Sequence, residues 1–354
     1  METPTPSEER GFWRWLDERV GLDGLRYPIP HHSNNIFYSL GGTTFAIFIL
    51  LIITGIIMAQ FYNPSPEKAH QSVQYIMNQV TGGRIVRGLH YWLANAAVLI
   101  VMLHMIRVFV TASYKRPREF NWIIGVLLFT TTGLFFYSGT VLKWDQEGFE
   151  ALEHLGEIGN LFGKVGTILT EGLTKSVELL GRVYATHIGI LPVILLVLLA
   201  VHFLLIKKFS ISSLPWGSRQ EIEDRRKAEE AAPFTTHIVR FSLYGLVFLV
   251  IAFFLALVSA APLGPLPKEG IEITKPLWPF IWLTPLETWF SVKAIPIAFG
   301  LLFLGLLLWP FIERTKELDP RRRSFAMTVL IIVVVIWLAL TIYGYRIPIE
   351  KHVE

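Results

Sequence analysis

RIVRGLHYWLANAAVLIVMLHMIRVFV (Arg84–Val110) decides the fold of this chain. From Gly88 onward it is long and apolar enough to cross a bilayer core of about 30 Å. Two histidines, His90 and His104, stand inside it. Their spacing is close to four helical turns, so both fall near one helix face, about 21 Å apart along the axis. A second apolar stretch, YATHIGILPVILLVLLAVHFLLI (Tyr184–Ile206), repeats the arrangement with His187 and His202. Ionisable side chains within membrane segments are costly, and their default reading is functional.

The rest of the chain fits that beginning. It has 354 residues, 52% of them hydrophobic, and a mean hydropathy of +0.48. Seven spans are expected: Ile36–Gln60, Gly88–Val110, Trp122–Leu142, Tyr184–Ile206, Ile238–Ala261, Ala294–Ile312 and Phe325–Tyr345. The fold class is therefore an all-α membrane protein. The Pro- and Trp-rich segment Lys275–Phe290 is too short and too broken to span, and reads as interfacial or re-entrant. Met1–Pro30 shows no secretory signal pattern. Within it, Gly11–Leu25 sets Trp, Leu and Val at helical spacing among charges, as an amphipathic helix on the membrane surface does.

Basic residues orient the spans. Arg107, Lys115, Arg116 and Arg118 follow the second span; Lys207, Lys208, Arg219, Arg225, Arg226 and Lys227 follow the fourth; Arg314, Lys316, Arg321, Arg322 and Arg323 follow the sixth. By the positive-inside rule these loops and the N-terminus face the cytoplasmic (n) side, and the other loops face the opposite (p) side. The second and fourth spans then run in one direction, so His90 matches His187 in depth and His104 matches His202. No nucleic-acid partner is expected. The domain reading is a surface segment (1–35), a four-span unit with all four histidines (36–217), a charged linker (218–232) and a three-span unit (233–354).

Neutral imidazole is a good haem-iron ligand, and two axial histidines give six-coordinate iron suited to electron transfer. Two depth-matched pairs thus read as a four-helix bundle holding two haems. One irregularity stands out. The fourth span places its histidines one residue further apart than the second does, which turns the second ligand by about 100° on a regular helix. A bend or tilt is expected to absorb it. Gly41 and Gly55 in the first span, and Gly125 and Gly139 in the third, repeat the His90–His104 spacing. They read as clearance for the macrocycle or as helix–helix packing, and the shared spacing favours clearance. Arg87 near one haem, and Arg107 and Lys115 near the other, are candidate propionate partners, although topology anchoring also explains them. The chain has no cysteine, which excludes thiolate iron–sulfur ligands, disulfides and covalently attached haem.

Arg84–Gly125, GTVLKWDQ (Gly139–Gln146), NNIFYSLGG (Asn34–Gly42) and LLGRVYATHIGILPVILLVLLAVHFLLIKKFSIS (Leu179–Ser212) resemble cytochrome b of the bc and b6f quinol oxidoreductase complexes. The wider spacing in the fourth span looks closer to the b6f type, with cytochrome b6 and subunit IV fused. The resemblance implies two b-type haems, a low-potential one on His90 and His187 and a high-potential one on His104 and His202. It implies p-side quinol oxidation, with one electron passed to a Rieske iron–sulfur protein or c-type cytochrome partner and one crossing the membrane. It also implies proton translocation, a lipid environment, a homodimeric complex and a bacterial inner (cytoplasmic) membrane.

Two departures matter. Ser39 stands where the b6f type has a haem-attaching cysteine. Pro276-Leu277-Trp278-Pro279 stands where the family has Pro-Glu-Trp-Tyr, so the proton-accepting carboxylate of the quinol site is missing. Pro276, Trp278, Glu287 and Asp145 are the quinol-site candidates, with Glu272 as the nearest upstream acid and Asp145 also readable as a helix cap. A di-haem anchor that only relays electrons is the competing function, and a haem-free proton transporter is a third.

Overall fold

The computed structural model describes residues 11, 15, 17–174 and 176–348. Seven of its helices are long and apolar enough to cross a membrane. They are α1 (Ile36–Ala59), α3 (Gly83–Val110), α4 (Glu119–Val141), α6 (Leu179–Phe209), α8 (Phe234–Val258), α10 (Ala294–Ile312) and α11 (Ser324–Arg346). Shorter helices fill the loops: α2 (Ala69–Asn78), α5 (Gln146–Leu161), α7 (Arg219–Ala228) and α9 (Thr284–Phe290). Each expected span is present within a few residues of its expected ends. Segment Lys275–Phe290 does not span; it holds a 3-10 turn at Ile281–Leu283 and then α9.

Local chemistry sets the helix ends. Asn35 accepts from the Tyr38 N–H at 3.0 Å and caps α1. Gly82, at φ +73°, makes the left-handed turn from α2 into α3 that a side chain would strain. Asp145 caps α5 by accepting from the Gly148 N–H at 3.0 Å.

The fifth span packs against the first two. Ile47, Leu93, Ala97, Ile100 and Ala252 form one buried cluster across α1, α3 and α8. Small residues let these helices approach. A Cβ on Gly88 would meet the Ala256 Cβ at 2.6 Å, and one on Gly245 the Ala46 Cβ at 2.7 Å. A second cluster joins the ends of α3 and α4 to α10 and α11 through Phe109, Trp122, Trp309 and Ala326. The outer faces of α6 and α11 stay apolar and exposed, as lipid-facing helices require.

The charged linker, 218–232, is largely ordered. Ser218 and Glu221 form a capping box that starts α7, and Ala231–Pro233 pairs antiparallel with Pro28–Pro30. The surface helix expected over Gly11–Leu25 falls partly outside the described residues; of the rest, 11, 15 and 17–20 are helical and Leu22–Leu25 form a 3-10 turn.

Candidate functional site

Four helices, α1, α3, α4 and α6, surround the histidines. At one end the rings of His90 and His187 face each other with centroids 6.5 Å apart. An iron bound at about 2 Å by a nitrogen of each ring would set the centroids about 6 Å apart, so the gap fits one metal between two axial imidazoles.

The hydrogen bonds select the ring nitrogen that is left for the metal. His90 Nδ1 lies 2.9 Å from the Thr54 hydroxyl, and His187 Nδ1 lies 2.8 Å from the Ser138 hydroxyl. Each hydroxyl spends its one proton on its own helix, Thr54 on the Leu50 carbonyl at 2.8 Å and Ser138 on the Leu134 carbonyl at 2.7 Å. Each can therefore only accept from the ring, so Nδ1 carries the proton and Nε2 keeps its lone pair.

His104 and His202 line a cavity at the other end, with about 1290 Å³ of empty space counting its open mouth. Polar groups are left unpaired around it. Arg107 Nε, Asn121 Oδ1 and His202 Nδ1 are buried without a hydrogen-bond partner. An unpaired guanidinium N–H beside two metal-ligand candidates fits the carboxylate of a haem propionate. Arg107 also sits over the Tyr38 ring at 4.6 Å and reaches within 3.4 Å of His104 Nδ1.

Each of the four glycines faces one of the four histidines. A Cβ on Gly41 would lie 2.9 Å from His104 Cε1, and one on Gly55 3.4 Å from His90 Cε1. Gly139 faces His187 Cε1 at 3.4 Å and Gly125 faces His202 Cε1 at 4.0 Å. Their clearance is thus for the imidazoles first.

The extra residue in the fourth span is absorbed locally. Thr186–Ile190 is a π-turn in which the Leu191 N–H bonds the Thr186 carbonyl, five residues back. A π-turn holds one more residue than an α-turn without carrying the helix face onward. Pro192 follows; it has no N–H to return to the Ile188 carbonyl, which favours the irregularity. No general bend is needed to bring His187 and His202 into line.

Other expected site residues are used differently. Arg87 is buried, and its terminal nitrogens donate to the Ala261 and Pro262 carbonyls, both at 2.6 Å. It fastens the start of the loop between the fifth and sixth spans. Lys115 is likewise held by a loop. Its ammonium donates to Glu313 Oε1 at 2.7 Å, to both oxygens of Thr315 and to the Glu317 carbonyl at 2.6 Å, which fills its donors. Glu313 also accepts from the Tyr114 hydroxyl and from buried Arg323 at 3.1 Å.

Asp145 holds the loop after α8. Beyond its cap it accepts from the Gly264 N–H at 2.8 Å and meets Lys143 at 3.3 Å. Trp278 donates from its indole to Asn95 Oδ1 at 2.8 Å, which ties the Pro276–Pro279 segment to α3 beside His90. Lys275, next to Pro276, donates to the Gly344 and Tyr345 carbonyls. Glu287 pairs with His154 Nε2 at 3.0 Å, and Glu272 lies 3.9 Å from the same nitrogen.

Sequence reading passed over Thr54, Ser138 and His154. The first two had a signal: each hydroxyl immediately precedes one of the spaced glycines, Gly55 and Gly139. His154 had none, because its partners come from a loop more than a hundred residues away.

Comparison with known proteins bears on this arrangement. Residues 26–210, the stretch with all four histidines, match the family described as Cytochrome b/b6/petB. The cytochrome b6 of Heliomicrobium gestii is 37% identical over 209 residues, which are 56% of this chain and 98% of that protein. The cytochrome b6 of Prochlorothrix hollandica is 37% identical over 215 residues, 58% of this chain and 96% of that one. A chain of a solved structure titled "Hyperthermophilic respiratory Complex III" superposes with a TM-score of 0.78 at 26% identity, over 95% of this chain and 91% of its own. A four-helix bundle with facing histidine pairs, matched along its length by proteins of this kind, makes the chain a member of the cytochrome b/b6 family, whose members carry b-type haem.

Proposed function

We propose that the chain is the di-haem cytochrome b subunit of a bc-type complex that oxidises quinol on the p side. His90 and His187 would hold one haem, with Nε2 the nitrogen left for its iron, and His104 and His202 would hold the other, with Arg107 as a propionate partner. When bound, the two haems supply a path for one electron across the membrane. A transmembrane potential acts on that electron by about 2.3 kcal/mol per 100 mV for a full crossing.

Thr54 and Ser138 hold the Nδ1 protons, which fixes the ring tautomers and keeps Nε2 aimed inward. The second electron goes to a Rieske-type iron–sulfur protein or a c-type cytochrome, and the protons go to the p side. The observation that carries this reading is the facing of His90 and His187 across 6.5 Å with both Nδ1 atoms engaged. Coverage of 95% of the chain by the complex III neighbour supports it over a relay-only anchor, because it extends through the three-span half.

The test uses the purified complex. Two b-type haems per chain and quinol-dependent cytochrome c reduction that stops with p-side inhibitors are expected. His104→Ala is expected to remove the n-side haem signal and leave p-side signal. One haem per chain, or haem reduction with no p-side quinol oxidation, would refute the reading.

A further inference from the structure

The loops at the His90/His187 end carry an ionisable group that the haem ligation leaves unused. His154 sits on α5, with Nδ1 2.8 Å from the Glu150 carbonyl one turn back. A carbonyl only accepts, so Nδ1 carries a proton. Nε2 meets Glu287 Oε1 at 3.0 Å and Glu272 Oε1 at 3.9 Å. A contact that close between a ring nitrogen and a carboxylate holds a proton between them. One nitrogen therefore faces two carboxylates from the other loop, and the fixed Nδ1–H keeps the ring from using its other side. Burial works to lower the imidazole's pKa; Glu287, then the Glu150 carbonyl and Glu272, outweigh it and lift it to about 10.

The surrounding charges are acidic. Glu153 interacts with His154 and, in turn, with Glu157 and Glu269. The Glu150 carboxylate is occupied by the Ile273 and Thr274 amides at 2.9 and 3.0 Å.

The helix that carries His154 is tied to the helix that carries Ser138, the partner of His187. Tyr137, the residue before Ser138, donates from its hydroxyl to the Ala151 carbonyl on α5. Ala151 lies one turn before His154, about 5 Å along the axis. Phe280 packs against Phe136 and Tyr137 with ring centroids 6.2 and 6.1 Å apart. This brings the loop that carries Leu277, where the family has its carboxylate, onto the α4–α5 corner.

We propose that His154 relays protons from Glu287 to Glu272 during p-side quinol oxidation, replacing the family's missing loop carboxylate. The inference rests on the quinol-oxidising function proposed above. The two electrons of the quinol go to the acceptors named there, and the relay handles one of its two protons. Glu287 takes that proton. Its neutralisation removes the charge that stabilised the imidazolium, so the Nε2 proton passes to Glu272. Neutral Nε2 then takes the proton from Glu287, and Glu272 releases its own to the p-side water. The ring ends as it began.

The test compares the wild-type complex with complexes carrying His154→Gln, His154→Ala, Glu287→Gln or Glu272→Gln. A short-chain benzoquinol and a short-chain naphthoquinol are assayed in parallel from pH 6 to 9. Each variant is expected to keep both haem bands and lose about 10-fold or more in kcat. Added imidazole is expected to restore turnover of His154→Ala in a concentration-dependent way, which a purely structural pair would not allow. Turnover like the wild type in His154→Gln, or a loss that imidazole does not restore, overturns the relay. A wild-type complex that oxidises neither quinol refutes the function itself, a result distinct from failure of the variants alone.

Discussion

Deleting Gly189 while replacing Pro192 with Leu tests how α6 aligns its histidines. Gly189 has no side chain and a Cβ there would meet nothing within 4 Å, so no side-chain contact is lost with it. The π-turn at Thr186–Ile190 holds the surplus residue. Removing one residue there converts it to an α-turn and leaves the faces of His187 and His202 unchanged. If the turn did not absorb the surplus, the deletion would swing one histidine by about 100°. At a Cα radius of about 2.3 Å that is a displacement of about 3.5 Å, with a further 1.5 Å or so along the axis. Metal–ligand distances tolerate about 0.2 Å, so a shift of that size abolishes ligation. The assay is haem stoichiometry by pyridine haemochrome with redox difference spectra. Two haems per chain are expected. A folded chain with one haem would refute the local account and return the alignment to a distributed bend. The single deletion, with Pro192 kept, is expected to assemble at a cost of about 3 kcal/mol, because proline in a regular helix clashes with the carbonyl four residues back.

Three further outcomes follow from the geometry. Gly41→Ala places a methyl 2.9 Å from His104 Cε1 and is expected to lower occupancy of the n-side haem, whereas Gly125→Ala, at 4.0 Å from His202, is expected to keep it; haem content read per chain distinguishes them. Ser138→Ala leaves the His187 Nδ1–H without its acceptor, a cost of about 1–3 kcal/mol, and is expected to raise the midpoint potential of the p-side haem in a redox titration. Glu313→Gln leaves the Arg323 guanidinium, whose side chain is 0% exposed, without its carboxylate, and is expected to destabilise the chain by about 3–5 kcal/mol in thermal unfolding. Burial works to raise the Glu313 carboxyl, but hydrogen bonds from Lys115, Thr315, Tyr114 and Arg323 outweigh it and hold its pKa below the usual range. Its stabilisation is therefore fully present above the ordinary carboxylate range and is lost as pH falls through the lowered value, which an unfolding series from pH 7 to 3 reads directly.

Seven spans and the four histidines were legible in the amino-acid order. Lipid demands long apolar runs, a requirement that neighbouring residues meet without help from the fold. The glycines were legible for a related reason: helices of one length around one layered site repeat one spacing. The contacts of Arg87 and Lys115 were not. A cation near a membrane surface has the same appearance in sequence whether it meets a propionate, a lipid or a carbonyl. Their partners, Ala261, Pro262 and Glu313, come from loops more than 170 residues away.

What the order of residues determined alone is that this chain crosses a membrane seven times and carries histidines at two depths. The tertiary structure decided which nitrogen of the His90 and His187 rings stays free, since that depends on hydroxyls from other helices. It decided that a π-turn beside His187 cancels the uneven spacing, because a backbone can depart from 3.6 residues per turn without any change in hydropathy. It also brought His154 to Glu287 and Glu272, a contact between two loops that only the closed helix bundle holds together.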